Sequence, residues 1–266
     1  MIKVANILPT KYLLPLESNN QSDIHILLAH RVLVDKEYVS YYNKRQKQGD
    51  FLILDNSAFE LGSSLSLDLL TKAIVLCNPD EFVLPDVLKN KQETIKRSIK
   101  FLSEFKNKDY MRFMAVPQGK NIEEWVTCYE YFAQNKDINT IGIGAIYASD
   151  IFGNREKTKK YVSGRDYLID QISQLGVLNK LKPHHLLGLS DSGHLELSEL
   201  SKYEWIRSCD TSAAFVHGKK GKVFIKDQPY KKEISKIDFG QDFEDSNIRL
   251  VINNMEVLRE SGKRFS

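Results

Sequence analysis

The feature that most limits how this chain can fold is an alternation that runs almost end to end. A short apolar run closes on a polar or glycine residue, and an amphipathic stretch follows. The apolar runs are HILLAH (25–30), FLILDNS (51–57), EFVLPDV (81–87), RFMAVPQG (112–119), TIGIGAI (140–146), HHLLGLS (184–190) and WIRSCDTS (205–212), with KVANIL (3–8) as a candidate eighth. Between them, SLDLLTKAIVLC, KQETIKRSIKFLSEF, NIEEWVTCYEYFAQN and RDYLIDQISQL carry apolar residues at i, i+3, i+4 and i+7, the helical period. Asn121, with Glu124 three residues on, has the form of a capping box. Gly176 has the form of a helix stop. Near-continuous apolar runs suit strands buried on both faces. Strands that alternate with helices pair in parallel through right-handed crossovers. The pattern predicts one α/β domain over residues 1–266, a (β/α)8 TIM-type barrel, with a doubly wound open sheet as the alternative. NIRLVINNMEVLRES predicts a closing helix over about 246–260.

Composition narrows the setting. Cys77, Cys128 and Cys209 are odd in number and lack close pairing, which fits a reducing compartment rather than a disulfide framework or a Cys-rich zinc site. MIKVANILPTKY has no apolar h-region, and no stretch approaches the ~18 apolar residues of a membrane span. A cytoplasmic protein without a membrane partner is expected. Net charge is +3, yet residues 216–236 hold seven Lys against Asp227 and Glu233. GNREKTKKYVSGR (153–165) sets five Lys or Arg against Glu156. Positive charge gathered on an otherwise near-neutral body predicts a polyanion footprint; solvated lysine loops are the bland alternative.

In a barrel, reactive groups gather at the C-terminal strand ends. Those ends supply Asp55, Asp86, Gln118, Gly142 with Gly144, Gly188, and Asp210. A carboxylate after an apolar run is costly unless paired, solvated or used. One such Asp is commonly a turn former or cap, but three on one rim point to function. One carboxylate can attack an anomeric carbon while a second shuttles the proton. A third, with an amide and small residues such as Gly142, Gly144 and Ala145, suits a flat guanine-like edge lying against the main chain.

The ordered set DNSAF (55–59), LPD (84–86), VPQG (116–119), GIGAI (142–146), HLLGLS (185–190) and SCDTS (208–212) resembles the tRNA-guanine transglycosylases over roughly residues 50–215. The resemblance implies Asp55 as general acid/base and Phe59 as the aromatic packing on the base. It implies Asp86 and Gln118 as readers of the guanine edge, Gly142 and Gly144 as backbone facing it, and Gly188 in the same substrate-binding set. It implies Asp210 as the nucleophile at C1′. The implied reaction is exchange of guanine for a free 7-deazaguanine base through a glycosyl-aspartate, with no cofactor. Departures are visible: D-N-S-A-F stands where the family has D-S-G-G-F, TSAAF follows the nucleophile where P-T-R is usual, and the Cys/His zinc insert is missing. Compact, zinc-free relatives are typical of bacteriophage and bacterial enzymes acting on DNA, so DNA is the expected polymer, with tRNA as the alternative. A non-catalytic nucleic-acid-binding barrel and a hydrolytic glycosylase are the other readings. The oligomeric state stays open.

Other constellations carry less. Adjacent His184 and His185 in a strand must point to opposite faces, so no metal site is expected there despite Asp191 and His194 nearby. Cys209 lacks an obvious base, and a buried structural thiol is commoner. IGIGAI lacks the dinucleotide-binding glycine spacing.

Overall fold

The computed structural model describes residues 1–263 apart from 106–109, 146, 149–154, 158–159, 163, 190–191 and 231–246. Eight parallel strands form the predicted TIM-type barrel: β1 (Lys3–Asn6), β2 (Ile24–Leu28), β3 (Phe51–Asp55), β4 (Glu81–Val83), β5 (Arg112–Ala115), β6 (Thr140–Gly144), β9 (His184–Leu187) and β10 (Ile206–Thr211). The sheet runs β1-β10-β9-β6-β5-β4-β3-β2, and β1 and β2 lie against each other, so that the barrel is nearly closed. A separate antiparallel hairpin, β7 (Arg155–Lys157) with β8 (Lys160–Val162), is inserted after β6.

The main crossover helices match the amphipathic stretches. They are Leu67–Cys77, Lys91–Glu104, Ile122–Gln134 and Gly164–Gln174. Asn121 Oδ1 accepts from Glu124 N at 2.9 Å. The reciprocal bond goes one residue further out, from Lys120 N to Glu124 Oε2 at 3.0 Å. Gly176 stops its helix in the left-handed region, at φ +70°. Sequence periodicity passes over the helix Lys36–Lys47, because three tyrosines, Tyr38, Tyr41 and Tyr42, make its buried face rather than aliphatic residues.

Strand alternation sorts side chains into two shells. Ala5, Ile7, Ile24, Ile26, Leu28, Ile53, Val83, Met114 and Val116 fill the barrel interior, with Leu187 packed against them. Residues of the opposite parity, such as Leu52, Leu54, Phe82, Ile141 and Leu186, face the helices. Asp55 and Asp210 continue the inward parity past the apolar layer, and Asp86, in the turn three residues beyond Val83, joins them above the packed floor.

At the opposite, N-terminal mouth the interior is ionic. Glu81 is fully buried and accepts two bonds from Arg207, at 2.7 and 3.0 Å, and one from Thr140 Oγ1 at 2.8 Å. The arginine fork holds its carboxyl below the usual range despite burial.

The segment at 216–236 is not simply a loop. Its first residues end the helix Ala213–Lys219, which packs on the C-terminal helix Ile248–Ser261. A Cβ on Gly218 would lie 2.5 Å from Val251 N, so only glycine permits this approach. Residues 231–236 lie outside the described residues. Among the described residues, no helix is long and apolar enough to cross a membrane.

Candidate active site

The C-terminal strand ends surround a pocket of about 170 Å³. Ile7, Ile26, Val83, Val116 and Leu187 form its floor, and Phe59 and Leu88, each about half exposed, stand among its walls. Asp55, Glu60, Asp86, Gln118 and Asp210 bring the polar groups, and no Lys, Arg or His is among the described lining residues. The volume is below the ~300–1,000 Å³ usual for drug-sized ligands, so a single ring or a comparably small group is what fits.

Asp55 ends β3, where the chain turns sharply. Ser57 sits in the left-handed region at φ +62°, a conformation that costs a non-glycine residue of order 1 kcal/mol or more. Ser57 N donates to Asp55 Oδ2 at 2.7 Å, and Ser57 Oγ accepts from His30 N at 3.2 Å and lies 2.9 Å from His30 Nδ1. The strain is held by a contact from the neighbouring strand end, and its product is a fixed aim for Asp55. Burial first, then the charge of Glu60, with smaller pushes from Asp210 and Asp86, drives the Asp55 carboxyl well above the ordinary range, against the Ser57 N–H. These surroundings favour the protonated form of Asp55.

Asp86 is buried and already engaged. Asn56 Nδ2 donates to Oδ1 at 2.9 Å and Gln118 Nε2 donates to Oδ2 at 2.7 Å. Gln118 Oε1 in turn accepts from Lys89 N at 3.2 Å. Burial raises the Asp86 carboxyl, with the two amides opposing it. The groups expected to read a base edge therefore bond to each other in this structure.

Asp210 closes β10 on the far side of the pocket. Its Oδ1 accepts from Gly188 N at 3.0 Å and lies 3.0 Å from His185 Nε2. Gly188 takes φ +64°, where glycine is unstrained. Both described bonds fall on Oδ1, and Asp210 is among the residues lining the pocket.

The two glycines of β6 separate. A Cβ on Gly144 would meet nothing within 4 Å, and Gly144 lines the pocket. A Cβ on Gly142 would lie 2.8 Å from Leu187 Cδ1 and 3.2 Å from Met114 Sδ, so Gly142 belongs to the packed floor and is not among the lining residues.

Several contributors carry no sequence signal of their own. Arg165, counted in the basic segment 153–165, is fully buried. It bonds Glu196 at 2.7 and 2.8 Å, Ile143 O at 3.0 Å and Gly188 O at 2.8 Å. It clamps the ends of β6 and β9 and is withdrawn from any polyanion surface. Lys219 is likewise buried, 4.6 Å over the Tyr12 ring. Residues 153–154, 158–159 and 163 of that segment, and Ser190 and Asp191, lie outside the described residues. His184 and His185 do project to opposite faces. His184 packs outward on Tyr129 and Trp205, with burial lowering it to about 4. Tyr147 lines the pocket and stacks on Trp125. Among the described residues, no group of three or more His, Cys, Asp or Glu is placed to hold a metal ion.

No protein-family model and no curated protein matches the chain. Solved structures do. The HpcH/HpaI aldolase from Desulfitobacterium hafniense DCB-2 is similar at 10% identity and TM-score 0.50, over 82% of this chain and 88% of that one. CitE from Mycobacterium tuberculosis is similar at 8% identity and TM-score 0.45, over 99% and 97%. The L-Ala-D/L-Glu epimerase from Bacillus subtilis is similar at 11% identity and TM-score 0.46, over 79% of this chain and only 54% of the epimerase. Likeness at these identities is one of fold. The comparison corrects the functional expectation: the barrel matched at TM-score 0.50 is an aldolase, and none of the three structures named above is a tRNA-guanine transglycosylase. Guanine transglycosylation, glycosyl transfer and DNA modification with a 7-deazaguanine are therefore set aside.

Proposed function

We propose that this barrel is an enzyme that hydrolyses a glycosidic bond in a small, uncharged or cationic substrate, one ring of which fills the pocket. The observation that carries the reading is the facing pair Asp55 and Asp210 over an apolar floor, Asp55 held by Ser57 N–H in surroundings that favour its protonated form and Asp210 held by Gly188 N–H beside His185. Such a pair splits the labour of glycoside cleavage. Asp55 delivers a proton to the departing group, and Asp210 faces the electron-poor sugar carbon, as base toward water or as nucleophile. In either role water supplies the hydroxyl that ends on the sugar, and the proton balance closes when Asp55 is reprotonated. Glu60, Asp86 and Asp210, with no Lys, Arg or His among the described lining residues, make an acidic lining that disfavours an anionic substrate. That feature separates the site from one built for di- and tricarboxylates or phosphate esters.

The test is product analysis after incubation with neutral and cationic glycosides and nucleosides, beside a panel of oxo- and hydroxy-acids. Release of a free ring from a glycoside, lost by about 10²-fold or more in Asp210→Ala and Asp55→Asn, is the expected result. Turnover confined to the acids, or indifference to Asp210, would overturn the proposal.

A further inference from the structure

Asp210 does not stand alone: a hydrogen-bonded chain runs from it down the barrel interior to the far mouth, and its direction can be worked out. Arg207 is pinned at its outer end, where its guanidinium forks onto both Glu81 oxygens and lies 5.2 Å from the Phe51 ring centre. A fork held at both tips cannot rotate, so Nε has a fixed aim. Nε donates to Ser208 Oγ at 3.1 Å. An arginine Nε always carries its hydrogen, so Ser208 Oγ acts as acceptor there. Ser208 is fully buried, and its own hydrogen needs an acceptor. Among the described residues that acceptor is His185 Nδ1, 2.8 Å away. Nδ1 is then the bare nitrogen of the ring, and Nε2 bears the proton that it donates to Asp210 Oδ1 at 3.0 Å. The opposite tautomer would set the Nε2 lone pair against a carboxylate oxygen at the same distance, which is repulsive. Both arguments agree.

We propose that Arg207, Ser208 and His185 form a one-way relay of donors that fixes His185 as its Nε2–H tautomer and so orients the Asp210 carboxylate toward the pocket. His185 and Ser208 are positioning residues: they touch Asp210 or its partner and are not among the pocket-lining residues. The role assigned to Asp210 rests on the reading above, whereas the tautomer does not.

Nitrogen-15 spectra of the full chain, labelled at histidine, test the relay directly. The wild-type His185 signal is expected to show a protonated Nε2 and a bare Nδ1. Ser208→Ala removes the hydrogen bond at Nδ1 while Asp210 keeps Nε2 protonated, so the Nδ1 signal should move to that of an unbonded bare nitrogen, and Ser208→Thr, which keeps the hydroxyl, should restore the wild-type signal. A wild-type ring protonated at Nδ1, alone or together with Nε2, overturns the proposal, as does an Nδ1 signal that is unaltered in Ser208→Ala. If Ser208→Ala does not fold, the wild-type and Ser208→Thr spectra still decide the assignment. With a hydrolysable glycoside in hand, Ser208→Ala is expected to lose about tenfold or more in kcat while KM stays within about twofold. Absence of any glycosidase activity would remove the proposed function and leave the spectroscopic result standing.

Discussion

Asp55 shows what a single side chain gives up to a site. Burial, and then the charges around it, push its carboxyl well above the ordinary range, so that it resists ionising where an unfolded chain would not. The native state therefore binds the extra proton. Stability falls as pH rises above the ordinary carboxyl value, until the raised native value is passed. Asp55→Asn removes that penalty. Thermal melts should show the variant more stable than the parent by roughly 0.5–2 kcal/mol at pH 8, the range common for stabilising changes at strained active sites. The gap should shrink toward pH 4. A variant less stable than the parent at pH 8 would contradict a raised Asp55 carboxyl. The three aspartates were legible in the sequence because each follows an apolar run at a strand end. Their neighbours were not: His185 looked like half of a histidine pair, and Asn56 and Glu60 have no pattern of their own. Those roles arise from contacts between strands distant in the chain, which periodicity does not encode.

At the scale of elements, strand and helix positions were readable because near-continuous apolar runs alternate with stretches of the 3.6 period along the chain. The exceptions have physical causes. The helix Lys36–Lys47 buries tyrosines through ring edges, and Ala213–Lys219 hides beneath a run of lysines that reads as loop. The β9 end is where element geometry meets chemistry. Gly188 is the only residue type that takes φ +64° there without strain, and its N–H is one of the two described contacts of Asp210. Gly188→Ala should cost about 1–2 kcal/mol in denaturant unfolding, the penalty of a left-handed L-residue. A neutral effect would mean that the turn rearranges freely.

For the whole molecule, two buried ion pairs set opposite ends of the barrel, Glu81–Arg207 at the N-terminal mouth and Arg165–Glu196 beneath the C-terminal rim. Each joins segments far apart in sequence, and neither was visible there. Arg165 read as one more surface charge, and its burial removes it from the basic footprint expected of residues 153–165. Glu196→Gln leaves a fully desolvated guanidinium without its counter-charge. It should cost about 3–5 kcal/mol, a drop in Tm on the order of 10 °C for a chain of this size. A loss under about 1 kcal/mol in calorimetry would show that Arg165 finds another partner.

The packed layer of Ile7, Ile26, Val83, Val116 and Leu187 makes the pocket blind-ended. Whatever enters by the rim must leave by the rim, with no back door through the axis of the barrel. Departing fragment and incoming molecule share one doorway, so a turnover is finished only when the vestibule beside Phe59 has been vacated.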